Sequence, residues 1–363
     1  MKKITLLSKF PMKDWAQMDQ FIAVTHGQGH ILRYRPIFEW FFVRGEDREH
    51  ANMLVAYEED RLVSLLGYLP TTFNWNGENV QGAWTAFWMT IEEYRNGVGV
   101  LLMRKLTELF PIVATQGASA MNQAIVSKMR FQFLEKIPKS VCVFNREKIK
   151  NELGYDSSKD FNLSDNGSDI AEVDFSSMKD YSPDWNFYPA LKFGTLRTYN
   201  YINQRYATYP FFKYKIFVTG PKTAPAVCVA RVVDTDRGIK VARILDFFFP
   251  ETDEGKKLGM DLMKKCLNSF QKAGCDYADF YCTADEYHKM LEETGFERDY
   301  NDSLPSLLDP IDMSRKVQNA EIYVSAALKA KSPEGIDHFF ISRGDGDQDR
   351  ANKSYLVKMG INL

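Results

Sequence analysis

Apolar and polar residues alternate with a period of two through ANMLVAYEEDRLVSLLGYLPTTFNWNGENVQGAWTAFWMTI, residues 51–91. Because successive side chains of a strand face opposite ways, this pattern predicts strands over Met53–Glu58, Leu62–Leu69, Thr71–Trp75 and Gln81–Ile91. EED, Pro70 and NWNGEN separate them as turns, which implies an antiparallel meander. The period then lengthens. In VGVLLMRKLTELF the apolar positions Val100, Met103 and Leu106 recur at helical spacing, and Pro111 stops the run. PIVATQGAS reads as a short buried strand, and SAMNQAIVSKMRFQFLEKIP as a helix running into another strand. The predicted order of this half is β-β-β-β-α-β-α-β.

The same alternation returns after residue 200. YKIFVTGPKTAPAVCVARVVDTDRGIKVARILDFFFPE predicts three strands, GKKLGMDLMKKCLNSFQKAG a helix, DYADFYC a strand and ADEYHKMLEETGF a helix. The two halves therefore repeat an architecture without repeating a sequence motif. Between them Asn151–Asp184 is rich in Asp, Ser and Gly and weakly periodic, which marks a linker. The expected division is a first domain over 1–150, connecting elements over 151–200 and a second domain over 201–363, each α/β with a mixed sheet.

Length and composition agree with that division. A chain of 363 residues, 45% hydrophobic with 26 Phe, 18 Tyr and 6 Trp, can bury two cores. Its 46 Lys and Arg against 48 Asp and Glu leave a net charge of −2, so no global positive field points to nucleic acid or an anionic membrane. An anionic ligand has to be met locally. Five cysteines without a CxxC spacing read as reduced core thiols, and no metal site is expected. The N-terminal MKKITLLSKFPMKDW is too short in its apolar run for a signal peptide, and no segment reaches the ~20 apolar residues of a membrane span, so the expected location is the cytoplasm.

The candidate chemistry centres on TIEEYRNGVGVLLMRKLTELF, where Gly97 and Gly99 stand between a strand end and a helix. Free N–H groups and the positive helix terminus converge there, and glycines let a phosphate approach them. The spacing is neither GxxxxGK[ST] nor a three-glycine dinucleotide fingerprint.

This arrangement resembles the acyl-coenzyme A loop of the GNAT N-acetyltransferase superfamily, [QR]-x-x-G-x-[GA], placed between the fourth strand and the next helix. Gly97 and Gly99 match the small positions; Tyr94 occupies the first position, with Arg95 one place late. ASAMNQAIVSKMRFQFLEKIP resembles the superfamily's last core helix and strand, N-x-x-A-x-x-x-Y-x-K-x-G-F. Lys128 and Phe131 fit, Arg130 replaces the usual glycine, and Val126 stands where many members carry the tyrosine that protonates the departing thiolate. The resemblance covers about residues 39–144 and, more loosely, 209–296. It implies two tandem GNAT-like domains, the second without a phosphate loop because ETDEGKKLGMDL lacks the GxG.

From the resemblance follows acyl-coenzyme A as co-substrate, held by Met89, Ile91, Arg95, Asn96, Gly97, Val98, Gly99, Val100 and Asn122. With THGQGHILRYRPIFEWFF at the front and HFFISRGDGDQDRANK at the back, the whole chain further resembles tandem-domain GNAT proteins of surface-polysaccharide pathways, which implies acetyl or 3-hydroxybutanoyl transfer to a dTDP-linked amino sugar such as a 3-amino-3,6-dideoxyhexose. Alternatives are a tandem GNAT transferase that takes its acyl group from charged tRNA, and a scaffold without catalysis. His30, in the glycine-flanked THGQGHILRYR, is the candidate base or sugar-positioning residue. Trp84 and Trp88, four apart on one strand, are expected to share a face and form core or a ligand wall. RGDGDQDR reads as a turn whose aspartates fix Arg343 and Arg350, with Arg343 near the sugar nucleotide.

Overall fold

The structure, a computed structural model, describes residues 3–159, 161, 171–173 and 175–361. Two mixed sheets organise the chain. The first runs Ile4–Leu7, Met53–Glu58, Arg61–Trp75, Glu78–Thr90, Ile112–Gln116, Ala320–Val324, Gln132–Leu134. The second runs Lys215–Thr219, Ala226–Asp234, Lys240–Phe248, Tyr277–Tyr281, Lys139–Val143, Glu297–Arg298. Each contains the predicted unit: antiparallel strands, a helix, then a strand parallel to the last of them. The parallel pairs are Glu78–Thr90 with Ile112–Gln116 and Lys240–Phe248 with Tyr277–Tyr281. A parallel return needs a crossover, supplied by the helices Val98–Leu109 and Asp253–Lys272. The molecule is thus α/β with two tandem units of like design. Part of the predicted linker, residues 160, 162–170 and 174, lies outside the described residues.

The two crossover helices start differently. Thr252 caps the second one, its hydroxyl accepting the Gly255 N–H at 3.1 Å. A Cβ on Gly255 would lie 2.0 Å from the Pro250 carbonyl oxygen, and one on Gly259 would strike Phe249, so both glycines serve close packing. The first helix begins at Gly97 with φ +117° and no side-chain cap. No side chain caps its first turn, whereas in the second unit Thr252 takes one of the first-turn N–H groups.

One predicted break is absent. Arg61–Trp75 is a single strand running through Pro70. The Tyr68 N–H donates to Asn52 on the outer edge, and by the alternation of the backbone a residue 70 N–H would point the same way. The Met53–Glu58 neighbour ends its pairing at Gly67, and the next partner on that edge begins at Phe73. No ladder bond is lost, so proline is tolerated.

The sheets also exchange strands. Lys139–Val143 leaves the first unit and pairs antiparallel with Tyr277–Tyr281 of the second. In return Ala320–Val324 sits between Ile112–Gln116 and Gln132–Leu134 of the first. Each sheet therefore contains a strand supplied by the other half of the sequence. All five cysteines are buried free thiols. Among the described residues no helix is long and apolar enough to cross a membrane.

The exchange yields a prediction. A fragment of residues 1–150 lacks the strand that separates Ile112–Gln116 from Gln132–Leu134, and it exposes Lys139–Val143 without partners. It is expected to show neither the near-ultraviolet circular dichroism nor the sharp thermal transition of the full chain. A fragment that melts as cooperatively as the whole would contradict this.

Candidate functional site

Glu78–Thr90 and Ile112–Gln116 pair only at Ala83 with Val113 and Trp84 with Ala114. Beyond those residues the parallel strands diverge. At the same point Phe87 adopts φ +61° and is skipped in the ladder, a bulge that strengthens the local twist and turns the strand away. The divergence opens a cavity of about 1220 Å³, walled on one side by Thr85, Ala86, Phe87 and Trp88 and on the other by Thr115–Ser119, with Asn122 and Met103. The second half of the chain closes it with residues 301–321 and 347–354.

The glycine turn lies next to this cavity, beyond Trp88. Gly97 has open space around its missing Cβ. Gly99 does not: a Cβ there would sit 2.7 Å from Thr90 Oγ1 and 3.1 Å from Trp88 Nε1. Gly97 therefore leaves the helix terminus accessible, and Gly99 lets the helix seat on the strand end. Of the expected cofactor residues, Asn122 lines the cavity; Met89, Ile91, Arg95, Asn96, Val98 and Val100 gather with the two glycines at the turn and are not among its walls. Arg95 donates from Nε to the Thr90 carbonyl at 3.3 Å. Tyr94, in the first motif position, is tied by its hydroxyl to the Glu58 carboxylate.

The bulge corrects the reading of the tryptophans. Trp84 pairs with Leu69 and Trp88 with Leu66, three residues apart on a strand without a bulge of its own there, so the two rings lie on opposite faces. Trp84 is 1% exposed and donates from Nε1 to Thr195 Oγ1 at 2.9 Å. Trp88 faces the Val98–Leu109 helix and also borders the cavity.

His30 lines the cavity and stacks against Phe87 at 5.2 Å between ring centroids, with the His26 ring 4.7 Å away. Its Nδ1 accepts the Leu32 N–H at 3.3 Å, which leaves Nε2 as the protonated nitrogen. Burial first, then His26 and Arg350, push its pKa down to about 3. A ring so held is neutral near pH 7 and suited to donating a hydrogen bond; it cannot retain a proton taken from an ammonium. A Cβ on Gly29 would meet only the Lys353 side chain, 2.6 Å from its Nζ, an end that can swing aside.

Arg343 is not at the cavity. It is 1% exposed, donates to Asp279 at 2.6 Å and stacks over Tyr281 at 4.5 Å. Its long side chain turns inward because Asp279, itself 1% exposed, requires a cation. Arg350, which donates to Asp347 at 2.6 Å, borders the cavity instead, as do Arg243 and Arg315. The other alternating aspartates also take arginines: Asp345 receives Arg197 at 2.6 Å and Asp349 receives Arg231 through two bonds of 2.7 and 2.8 Å.

A residue that the sequence pattern did not single out also lines the cavity. Glu321, on the exchanged strand opposite Thr115, is 1% exposed, and its Oε1 has no hydrogen-bond partner. Burial pushes its carboxyl up to about 7. It borders both the large cavity and a smaller one of about 330 Å³ shared with Val126. A carboxyl thus stands beside the valine that occupies the place of the expected tyrosine. The available signal in the sequence was a lone Glu in the alternating AEIYV, which reads equally as an exposed strand position.

Gly99→Ala is expected to lower stability by roughly 1–3 kcal/mol, the range for forcing an extra carbon into a filled site, against the ~0.5–1 kcal/mol that Gly to Ala gains in an open helix. Thr90→Ala should restore part of the loss, measured by denaturant unfolding as a double-mutant cycle. A stabilised Gly99→Ala protein would show that the helix does not need the close approach.

Residues 31–118 match the family described as an acetyltransferase (GNAT) domain, a span that holds the meander, the glycine turn and the diverging strands. No curated protein matches the chain in sequence. Among solved structures, the chain resembles the GCN5-related N-acetyltransferase from Anabaena variabilis at a TM-score of 0.57 and 13% identity, over 88% of this chain and 72% of that one. It resembles a probable N-acyltransferase from Enterococcus faecalis at 0.55 and 10% identity, with coverage of 88% and 72%. It also resembles Saccharomyces cerevisiae N-myristoyltransferase, solved with myristoyl-CoA, at 0.51 and 8% identity, with coverage of 100% and 87%. The chain is accordingly a two-unit α/β protein that shares its fold with solved GCN5-related N-acetyltransferases and matches the GNAT acetyltransferase domain over residues 31–118.

Proposed function

We propose that the protein is an N-acyltransferase that takes an acyl group from acyl-coenzyme A and delivers it to the amine of a dTDP-linked amino-dideoxyhexose. The observation that carries the donor half is the divergence of the parallel strands beyond Trp84, next to an uncapped helix start at Gly97. Unpaired strand groups suit the amides of a pantetheine arm, and the open N–H groups of Gly97, Val98 and Gly99 suit its pyrophosphate. Met89, Ile91, Arg95, Asn96, Val100 and Asn122 flank that path. The acceptor half rests on the resemblance of the whole chain and on a cavity closed by the second unit, with His30 and Arg350 in its walls.

The chemistry asks for little. The neutral amine attacks the thioester carbonyl, the C–S bond breaks as the amide forms, and one proton passes from nitrogen to sulfur. With Val126 at the usual tyrosine place, Glu321 is assigned this proton: ionised, it accepts from the attacking nitrogen, and protonated, it donates to the thiolate. A carboxyl near pH 7 is matched to a thiol of ordinary pKa ~8.5. His30 is assigned a positioning role through its Nε2–H.

Calorimetry with acetyl-coenzyme A tests the reading directly; saturable binding is expected, and none at millimolar donor would overturn it. Glu321→Gln should lower kcat by roughly 10²–10⁴ with little change in donor KM and should remove a pH limb near 7. The same variant has a stability signature. A folded-state pKa raised to about 7 means the unfolded chain ionises first, so wild-type stability falls as pH rises from the ordinary carboxylate range to about 7. The melting temperature of Glu321→Gln should exceed that of wild type above pH 7 and converge with it below pH 4. His30→Asn should raise acceptor KM and leave the pH limb intact; loss of the limb would move the proton role to the histidine.

A further inference from the structure

Apart from the two cavities bordered by Glu321 there is another pocket, of about 480 Å³, that shares no lining residue with the large one. The two are separated by single steps along the chain. Trp84 borders the pocket and Thr85 the cavity, and Gly346 borders the pocket and Asp347 the cavity. We propose that this pocket binds the oxyanion, phosphate or carboxylate, of a hydroxyl-rich small molecule through Arg44 and Arg205.

Arg205 is the central observation. It is 6% exposed, donates from Nε to the Gly344 carbonyl at 2.8 Å, and has no hydrogen-bond partner at either terminal nitrogen. A buried guanidinium with both terminal nitrogens unmatched is costly, and it is the group whose fork fits two oxygens of one anion. Arg44, half-buried, adds a second cation; its Nε donates to the Phe41 carbonyl at 3.1 Å. Burial first, then the nearby Arg205, push its pKa down to about 10, whereas the tyrosines around Arg205 and Asp349 hold that guanidinium above its ordinary value. The acid bordering the pocket, Asp345, does not neutralise them, because its Oδ2 already receives Arg197 at 2.6 Å and the Ser342 N–H at 2.9 Å. Asp349, which also acts electrostatically on Arg205, is occupied by Arg231 and Tyr214.

The rest of the wall indicates hydroxyls around the anion. Thr71, Asn79, Gln81, Asn200 and Gln204 offer donors and acceptors of no net charge, and Asp345 Oδ1 is a buried acceptor without a partner. Such a lining solvates a sugar ring better than a hydrocarbon. The assignment stands whether or not the large cavity takes a thioester.

The test is calorimetric titration of the full chain with three probes: inorganic phosphate, glucose 1-phosphate and glucuronate. Saturable binding of at least one, with a Kd of about 1 mM or tighter, is expected, and the latter two distinguish a phosphate ligand from a carboxylate one. Arg44→Gln and Arg205→Gln should each weaken it at least about tenfold, in line with the loss of a charge-assisted bond. Arg205 also anchors Gly344, so if its variant fails to fold, Arg44→Gln decides. Acetyl-coenzyme A titrated into Arg44→Gln separates the two sites, and unchanged donor binding is expected. Absence of saturable binding for all three probes, or equal affinity in wild type and Arg44→Gln, would overturn the assignment.

Discussion

The strand Ala320–Val324 governs the molecule. It comes from the end of the sequence, yet it is hydrogen-bonded on both edges inside the sheet formed by the beginning. Its neighbour Ile112–Gln116 is paired along this edge and is left almost free on the other, where it meets Glu78–Thr90 at only two residues. A strand held on one side and released on the other can diverge without being lost, and that divergence is the cavity. The reciprocal strand, Lys139–Val143, ties the second sheet to the first half in the same way. Neither sheet can be completed by its own half, so the walls of the cavity are fixed by folding of the whole chain.

The segment Ser342–Arg350 is the second constraint. Asp345, Asp347 and Asp349 alternate, but they do not converge on one point; each turns to a different arginine, Arg197, Arg350 and Arg231. Two of these pairs are buried, and buried pairs contribute more to a unique arrangement than to net stability, because desolvation offsets much of their attraction. Here the arrangement is a wedge. Gly344–Gly346 face the small pocket and Asp347, Gln348 and Arg350 the large cavity. Gly344 has no room for a side chain, since a Cβ there would lie 2.1 Å from the Tyr206 hydroxyl. The acidic turn keeps the two spaces apart while its aspartates are held by Arg197, Arg350 and Arg231, and Arg205, which donates to Gly344 in this turn, keeps both terminal nitrogens without a hydrogen-bond partner.

Much of the fold was legible because it depends on local pattern. Period-two alternation located the strands around residues 53–91 and 215–248, and the change to helical spacing located both crossover helices. Gly97 was legible for the same reason, since a left-handed residue before a helix is a local demand. The misread features all depend on pairing between distant residues. Whether Pro70 breaks a strand depends on where a neighbouring strand ends. Whether Trp84 and Trp88 share a face depends on a bulge at Phe87 that sequence alternation does not encode. Whether Arg343 or Arg350 reaches the cavity depends on Asp279, some 64 positions away. Glu321 was invisible because its burial follows from the strand exchange and not from AEIYV itself.

The environments of His30 and Glu321 separate two titratable groups that begin about two units apart in water, His near 6.5 and Glu near 4.3. The protein inverts their order. Both are desolvated, and desolvation removes charge from each: it lowers the histidine to about 3 and raises the carboxyl to about 7. The outcome is a neutral ring with one fixed N–H and a carboxyl that changes state near neutrality. Burial, the first cause of both shifts and reinforced at His30 by His26 and Arg350, therefore assigns opposite duties, since a group that cannot be charged can only orient, and a group poised near neutrality can exchange a proton. Under the proposed reaction, the strand exchange that closes the first sheet also delivers that carboxyl to the valine standing where the tyrosine was expected.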